Sequence, residues 1–211
     1  MEKSQTVGVI GGMGMVGKYL AETLLESNFK VKFLTRNPPK VLLKDSRLEV
    51  FKGDARDSAA IKDIFRGCFA VINTLGIGKQ EKPYYSEVTK RIIGALFELK
   101  VEKYILVSHA ALLVPGDKRG LLEYLWCQGM KLIFPELMKD KQDEYKILTE
   151  SRIDWTLFRL PQVKNSSIKG VIKVGDKNLP GNTIGNKDVA IFITSQLTSN
   201  LYSRKTPFIS N

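Results

Sequence analysis

The chain has 211 residues, of which 43% are hydrophobic, and a formal net charge of +11. This length can bury one substantial core and is short for two domains of ordinary size, so we expect a single domain over residues 1–211. No apolar run approaches the about 20 residues that a membrane-spanning helix needs, and the first residues do not resemble a signal peptide. The composition therefore predicts a cytoplasmic protein with no membrane partner.

The excess positive charge is spread along the chain. Lys and Arg total 33 against 22 Asp and Glu, and the basic residues stand in short runs mixed with acidic ones. A dedicated nucleic-acid surface needs a clustered basic patch, so we expect no nucleic-acid partner. The charge instead favours small anionic cofactors and substrates. We expect a monomer or a homodimer.

The two cysteines and the single histidine limit the chemistry further. Cys68 and Cys127 lie in apolar surroundings without CxxC spacing, which is typical of reduced thiols. One histidine and two separated cysteines are too few for an ordinary transition-metal site. We therefore expect no metal.

Apolar, β-branched segments alternate with helical patterns in the first half of the chain. Residues 6–10 predict a strand, and the segment from Met15 to Ser27 predicts a helix. Further strands are predicted at 30–35, 48–51, 69–74 and 103–108, and further helices at 58–66 and 87–99. This alternation predicts an α/β protein with a Rossmann-type, doubly wound parallel sheet.

The pattern changes after the fifth strand. A loop is predicted at 112–116 and a mostly helical segment at 118–151, interrupted near Gly129 and Pro135. A sixth strand is predicted at 155–159, a partly exposed strand at 168–174 and a helix at 187–196. We expect a small C-terminal substrate-side region, mainly within 109–150 and 160–185.

The segment between the first strand and the first helix is rich in glycine. It fits GxxGxxG through Gly11, Gly14 and Gly17, and GxGxxG when Gly12 is taken as the first position. Such glycines make a tight turn, let backbone N–H groups approach a pyrophosphate and allow close packing of helix on strand. The sequence therefore predicts a dinucleotide site. The loop residues expected to contact the cofactor are Gly11, Gly12, Met13, Gly14, Met15, Val16 and Gly17.

The end of the second strand bears on the choice of dinucleotide. NAD-selective folds place a carboxylate there for the ribose hydroxyls, and this chain has Arg36 instead, followed by Lys40. Two cations suit a 2′-phosphate, so we expect NADP(H) in preference to NAD(H). Alternatively, Arg36 stacks on the adenine and selects no phosphate.

With the glycine loop, Arg36, the Gly53-Asp54-Ala55 segment and the Leu75-Gly76 segment, the chain resembles the atypical short-chain dehydrogenase/reductases. It is most similar to the small NAD(P)H-binding group that contains biliverdin-IXβ reductase and flavin reductase-like proteins, with NmrA-like redox sensors as more distant relatives. The resemblance implies that Asp54, Ala55, Leu75 and Gly76 contact the cofactor. The alternative for Asp54 is an N-terminal cap of the next helix, for which Asp57 and Ser58 are better placed. Met13 departs from the family pattern, in which threonine is usual.

The resemblance also suggests where chemistry takes place. Ser108 matches a serine that lies beside the nicotinamide in this group, although a serine at a strand end often only caps a loop. His109 is a secondary candidate for contact with substrate, because alternation along a strand points it away from Ser108. Pro161 matches a residue that packs on the nicotinamide ring, and Gln162 follows it in the acceptor pocket.

The tyrosine–lysine pair of ordinary short-chain dehydrogenases is missing. No tyrosine in the chain is followed four residues later by lysine. Lys146 resembles a lysine that several atypical members carry and is a candidate catalytic residue, although an exposed lysine is commoner. The apolar segment 121–127 predicts a lid over a flat acceptor, a surface for a partner or membrane, or a helix packed on the core.

These features lead to two hypotheses of function. The first is an NAD(P)H-dependent reductase that passes hydride to a flat conjugated small-molecule acceptor such as a flavin, a tetrapyrrole or a quinone, because such an acceptor needs no positioned tyrosine. The second is a non-catalytic protein that senses NADP(H). A sugar epimerase or dehydratase is disfavoured by the missing pair.

Overall fold

A computed structural model of the chain describes residues 5–38, 43–76, 81–166 and 170–211. The ten strands of the described residues are β1 (Thr6–Ile10), β2 (Lys30–Thr35), β3 (Leu48–Lys52), β4 (Ala70–Asn73), β5 (Lys103–His109), β6 (Asp154–Leu160), β7 (Gln162–Lys164), β8 (Lys173–Gly175), β9 (Thr183–Gly185) and β10 (Phe208–Ser210). The six helices within the same ranges are α1 (Gly17–Glu26), α2 (Ser58–Phe65), α3 (Tyr85–Glu98), α4 (Leu121–Ile133), α5 (Pro135–Glu150) and α6 (Asn186–Ser195).

Eight of these strands form one sheet in the order β3-β2-β1-β4-β5-β6-β10-β8. Neighbouring strands are parallel except that β8 runs antiparallel to β10. Strands β7 and β9 form a separate parallel pair. The order reverses between β1 and β4, which is the position where doubly wound sheets bind ligands at the carboxyl ends of their strands. The predicted Rossmann-type α/β fold is confirmed.

Helices cover the sheet on both faces, and each face has its own apolar cluster. One cluster includes buried residues of α1 and α6, and the other includes those of α2, α3 and α5. Along β5, Ile105 belongs to the first cluster, whereas Tyr104 and Leu106 belong to the second. Burial on both faces explains why the strands are almost continuously apolar in sequence.

Two predictions for the second half of the chain were wrong. Gly129 lies within the continuous helix α4, so the helical segment breaks only at Phe134 and Pro135, where proline takes the first position of α5. The strand predicted at 168–174 is limited to β8, because it forms only where the chain pairs with β10. Residues 168 and 169 of that prediction lie outside the described residues.

A buried ion-pair cluster holds the segment between β5 and α4 on the sheet. Arg159 of β6 is fully buried, and its guanidinium donates to Asp117 Oδ2 over 2.7 Å. Arg119 donates to the same oxygen over 2.9 Å and to the backbone carbonyls of Ala110 and Leu112. One carboxylate therefore compensates two buried guanidinium groups, which fixes the loop that enters α4.

Candidate active site

The glycine loop turns tightly after β1, and backbone atoms leave no room for side chains at two of its positions. The N–H of Gly14 donates to the carbonyl of Gly11 over 3.0 Å, and Gly11 has a φ of +79°. A Cβ on Gly11 would lie 2.4 Å from the nitrogen of Leu75, and one on Gly17 would lie 2.4 Å from the Cα of Gly12. These contacts explain the glycines in the first and last positions of the motif.

Backbone N–H groups at the end of this loop have no acceptor inside the described parts of the chain. The N–H groups of Met13, Met15 and Val16 donate to no described residue. Helix α1 begins at Gly17 without a side-chain cap and without an acidic residue in its first turn. Free donors and the positive end of the helix dipole together favour an anion such as a pyrophosphate.

The loop borders a cavity of about 470 Å³ at the carboxyl edge of the sheet. It brings together nine of the predicted cofactor residues: Gly11, Gly12, Met13, Gly14, Arg36, Asp54, Ala55, Leu75 and Gly76. Tyr84, Thr35 and Asn37 also line it and were not predicted. Lys40, the second predicted cation, lies outside the described residues.

Arg36 is paired with a carboxylate that sequence reasoning missed. Its Nη1 lies 3.1 Å from Oε1 of Glu81, and the hydroxyl of Tyr84 donates to Oε2 of the same residue over 3.1 Å. The hydrogen bonds from Arg36 and Tyr84 lower the pKa of Glu81. Glu81 follows the fourth strand by several residues and belongs to no periodic pattern, so the sequence offered no signal for it.

Asp54 is held in the same cavity by a bidentate pair with Arg56. Nε and Nη2 of Arg56 donate to the two carboxylate oxygens over 3.0 and 2.8 Å. This pair lowers the pKa of Asp54 to about 2, so the carboxylate is ionised at neutral pH. The guanidinium of Arg56 also lies over the ring of Tyr84, with 4.9 Å to the centroid. The two arginines and two carboxylates at this end of the cavity compensate one another.

The chain after β4 fixes the glycine loop from the other side. The hydroxyl of Thr74 donates to the carbonyl of Ile10 over 3.2 Å, and the backbone N–H of Thr74 donates to the same carbonyl. Oδ1 of Asn73 accepts from the N–H of Leu75 over 2.9 Å. Leu75 and Gly76 are thereby placed against the glycine loop, at the border of the cavity.

Ser108 and His109 end β5 at the same edge of the sheet. Ser108 is buried, and its hydroxyl has no hydrogen-bond partner among the described residues. His109 is exposed on the opposite side of the strand, as alternation predicts, and its ring lies 5.3 Å from that of Trp126 in α4. A buried hydroxyl without a partner is costly. Ser108 does not line the cavity beside the glycine loop.

The hydrogen bonding of His109 defines its tautomer. Nδ1 accepts from the backbone N–H of Ala111 over 3.1 Å, so the neutral ring carries its proton on Nε2. Although His109 is exposed at the surface, the groups packed around its ring remove enough water to lower its pKa, and the positive charge of Lys141 lowers it further. At neutral pH the side chain is therefore a neutral hydrogen-bond donor through Nε2.

Comparisons with known proteins agree with this geometry. Residues 11–200 match the model of a family described as NAD(P)H-binding. The chain belongs to the NAD(P)H-binding family. An oxidoreductase of Pestalotiopsis microspora is 31% identical over 124 residues, which are 51% of this chain and 47% of that protein. The match thus spans about half the length of this curated relative.

Solved structures of this family's fold cover almost the whole chain. A short-chain dehydrogenase/reductase of Veillonella parvula in complex with NADP is 18% identical, with a TM-score of 0.79 over 99% of this chain and 95% of its own. An anaerobilin reductase of Escherichia coli is 16% identical, with a TM-score of 0.81 over 98% and 97%. At these identities the likeness concerns the fold. The family resemblance drawn from the sequence is confirmed.

Lys146 does not line the cavity beside the glycine loop. Its side chain is 73% exposed on α5 and lies 4.0 Å from Glu150. Lys141, which was not predicted, is buried on the other side of the helix, 2.8 Å from Oε2 of Glu144 and over the ring of Tyr85. The signal that marks this buried side was the spacing of Met138, Lys141, Glu144 and Leu148 along one helical face.

Pro161 and Gln162 follow the strand next to Ser108. Residues 108 and 109 pair with Arg159 and Leu160 of β6, so the buried Pro161 comes directly after the partner of His109. Gln162 is exposed and begins β7. Neither lines the cavity beside the glycine loop, and both lie at the edge where Ser108 ends its strand.

The described residues contain no group of three or more His, Cys, Asp or Glu side chains arranged to hold a metal ion. Within the same ranges, every helix is too short or too polar to cross a membrane. Cys68 and Cys127 are both buried and free, and burial raises the pKa of each thiol, to about 12 for Cys68.

Proposed function

We propose that this protein is an NAD(P)H-dependent oxidoreductase, with a preference for NADPH, that transfers hydride to a flat conjugated acceptor such as a flavin, a tetrapyrrole or a quinone. The observation that carries the proposal is the row of free N–H donors at Met13, Met15 and Val16, next to the cavity that leads from Arg36 to Leu75. The site fits a dinucleotide because backbone atoms exclude side chains at Gly11 and Gly17.

The residues of the chain would act by binding and orientation. The loop N–H groups and the start of α1 would hold the pyrophosphate, and Asp54 and Ala55 would contact the adenine. When bound, the cofactor supplies a hydride from its nicotinamide ring. Leu75, Gly76 and Pro161 would border that ring, and the hydroxyl of Ser108 would donate to a polar group of the cofactor or the acceptor.

The acceptor would lie at the exposed end of β5. The neutral ring of His109 would donate from Nε2 to a carbonyl or ring nitrogen of the acceptor, and Gln162 would offer a second polar contact. A conjugated ring takes hydride through stacking and collects its proton from water, so no tyrosine–lysine pair is required.

NADPH oxidation by the purified protein tests this function. We expect loss of NADPH absorbance that depends on enzyme concentration with at least one of FMN, riboflavin, biliverdin and a soluble quinone. His109→Ala should slow this turnover without weakening NADPH binding, because we assign His109 to contact with the acceptor and not with the cofactor. Tight binding of NADPH without turnover for any of these acceptors would favour the alternative, a redox sensor. A sensor also needs no catalytic acid, so it too is compatible with the missing tyrosine–lysine pair.

The pairing of Arg36 with Glu81 gives a prediction about cofactor choice. Arg36→Ala should weaken NADPH by about 10- to 100-fold and leave NADH nearly unchanged, because a charge-assisted hydrogen bond contributes about 1.5–3 kcal/mol. Glu81→Gln should tighten NADPH, because it releases Arg36 and removes a negative charge from the phosphate pocket. Calorimetric titration of both dinucleotides measures these changes. An Arg36→Ala variant with undiminished NADPH affinity would show that Arg36 selects no phosphate.

His109 gives a prediction about pH. Its pKa in the folded protein lies below the value of about 6.5 in unfolded chains, so the unfolded chain binds the proton more readily and stability falls as pH drops from about 6.5. His109→Asn does not titrate and keeps an oxygen acceptor for the N–H of Ala111. Urea unfolding at about pH 7.5 and about pH 5 should show a smaller loss in the variant than in the wild type. Equal losses would contradict the lowered pKa.

A further inference from the structure

Helix α4 turns its apolar side away from the protein. Seven large apolar side chains of this helix are between 44% and 83% exposed. Tyr124 lies on the same side as Cys127, and the other six share the opposite side: Leu121, Leu122, Leu125, Trp126, Leu132 and Ile133. We call these six residues together with Gly129 the α4 stripe. In the same helix only Cys127 is fully buried, where it packs with Ala111 and Met138. In a surface helix the apolar residues normally face the core and the polar residues face the solvent.

The α4 stripe is continuous and uncharged. At 100° per residue its seven members fall within an arc of about 140°, with Gly129 near the centre and Cys127 on the opposite side. The two charged residues of the helix, Glu123 and Lys131, both lie outside this arc. An apolar surface of this extent on one helix marks a site of association.

Gly129 lies at the centre of the stripe, and no contact within the described chain requires a glycine at this position. A Cβ built at this position would meet no atom within 4 Å, and the helix runs through it unbroken. Glycine in a helix interior costs about 1 kcal/mol relative to alanine. Close approach of another backbone explains why the residue is glycine.

The stripe is arranged symmetrically about this glycine. Leu125 and Trp126 precede it by four and three residues, and Leu132 and Ile133 follow it by three and four. An interface between identical subunits across a two-fold axis needs a surface that is complementary to itself. We propose that a second copy of this chain docks on the α4 stripe, with the two α4 helices crossing at Gly129.

The charges of α4 favour a second copy over a membrane surface. Helices that lie in a membrane interface carry a polar face rich in Lys and Arg. Helix α4 has one acidic and one basic residue, so it has no net charge to attract anionic lipid. The crossing would also cover the exposed part of Trp126, whose ring contacts His109, and so would place the interface beside the candidate active site.

Disulfide trapping tests the geometry. In the full chain, Gly129→Cys should form an intermolecular disulfide under mild oxidation, because residue 129 would lie next to its own copy at the two-fold axis. Gly94→Cys is the matched control, since Gly94 is also a helical glycine with no atom within 4 Å of an added Cβ. The two native cysteines are buried and would not compete. A disulfide in the Gly94 variant but not in the Gly129 variant would overturn the proposal.

Sedimentation velocity tests the association itself. The wild type should form a dimer as its concentration rises. Leu132→Lys should weaken the dimer at least tenfold. Its circular dichroism spectrum should be unchanged, because Leu132 is 83% exposed in the single chain. Phe97→Lys, an equally exposed change on α3, should leave the dimer intact. A monomeric wild type, a dimer that Leu132→Lys leaves unaltered, or a monomer that cosediments with phosphatidylglycerol vesicles would each overturn the proposal. NADPH titration of the monomeric Leu132→Lys variant distinguishes this proposal from the proposed function. Unchanged NADPH affinity in that variant would show that the interface is lost while the cofactor site is intact.

Discussion

Replacing Gly14 with valine is expected to weaken NADPH binding by about 100-fold while leaving the protein folded. Gly14 lines the cavity, and a Cβ there would meet only the carbonyl oxygen of Gly11 at 3.2 Å and that of Thr74 at 3.8 Å. The branched side chain would occupy the space before the loop N–H groups. Several charge-assisted hydrogen bonds of about 1.5–3 kcal/mol each would be lost or lengthened. Fluorescence titration with NADPH measures the effect.

Two other glycine variants control this experiment. Gly94→Val places the same side chain at an exposed position of α3, where no atom lies within 4 Å of the added Cβ. This variant should leave NADPH affinity unchanged. Gly17→Val should fail differently, by unfolding at lower temperature, because its Cβ would collide with backbone atoms. A folded Gly14→Val protein that binds NADPH as tightly as the wild type would show that the pyrophosphate does not lie on this loop.

Asp117→Ala is expected to lower the free energy of unfolding by about 3–5 kcal/mol, because it leaves two buried guanidinium groups without their carboxylate. Oδ2 of Asp117 accepts from Arg159 and Arg119 and also from the backbone N–H of Val114 over 3.2 Å. Neither arginine can reach water without moving the segment that leads into α4. Urea unfolding at neutral pH measures the loss.

A surface ion pair provides the control for this prediction. Asp63 pairs with Arg66 on α2 at 3.4 Å, and both side chains are more than half exposed. Asp63→Ala should change the free energy of unfolding by less than about 0.5 kcal/mol, because exposed pairs contribute little. If the Asp117 variant were no less stable than the Asp63 variant, the buried cluster would not hold the fold together.

The first half of the fold follows from local sequence patterns. Strands that are buried on both faces give nearly continuous apolar runs, so β1, β2, β4 and β5 could be located within one or two residues. The glycine loop was predictable for the same reason, since its motif stands between such a strand and an amphipathic helix. Strands β7, β9 and β10 were missed because they have three residues each and form through pairing with distant segments.

The candidate site shows where local patterns stop being informative. Arg36 could be predicted from its place at the end of β2, but its partner Glu81 depends on how the chain returns after β4. Lys146 was predicted because its neighbours resemble a family segment. Lys141 was missed, although helical phase places it on the buried side of α5. The orientation of α4 stayed open between a surface helix and a core helix, because apolar residues such as Cys127 and Met130 also stand on its inner side.

Calorimetric titration of NADPH and NADH into the wild-type protein measures cofactor binding at the glycine loop. We expect saturable binding of one NADPH per chain, with NADPH bound more tightly than NADH through the pyrophosphate donors of the glycine loop and the cation of Arg36. Absence of binding for both dinucleotides, or tighter binding of NADH than of NADPH, would contradict this expectation.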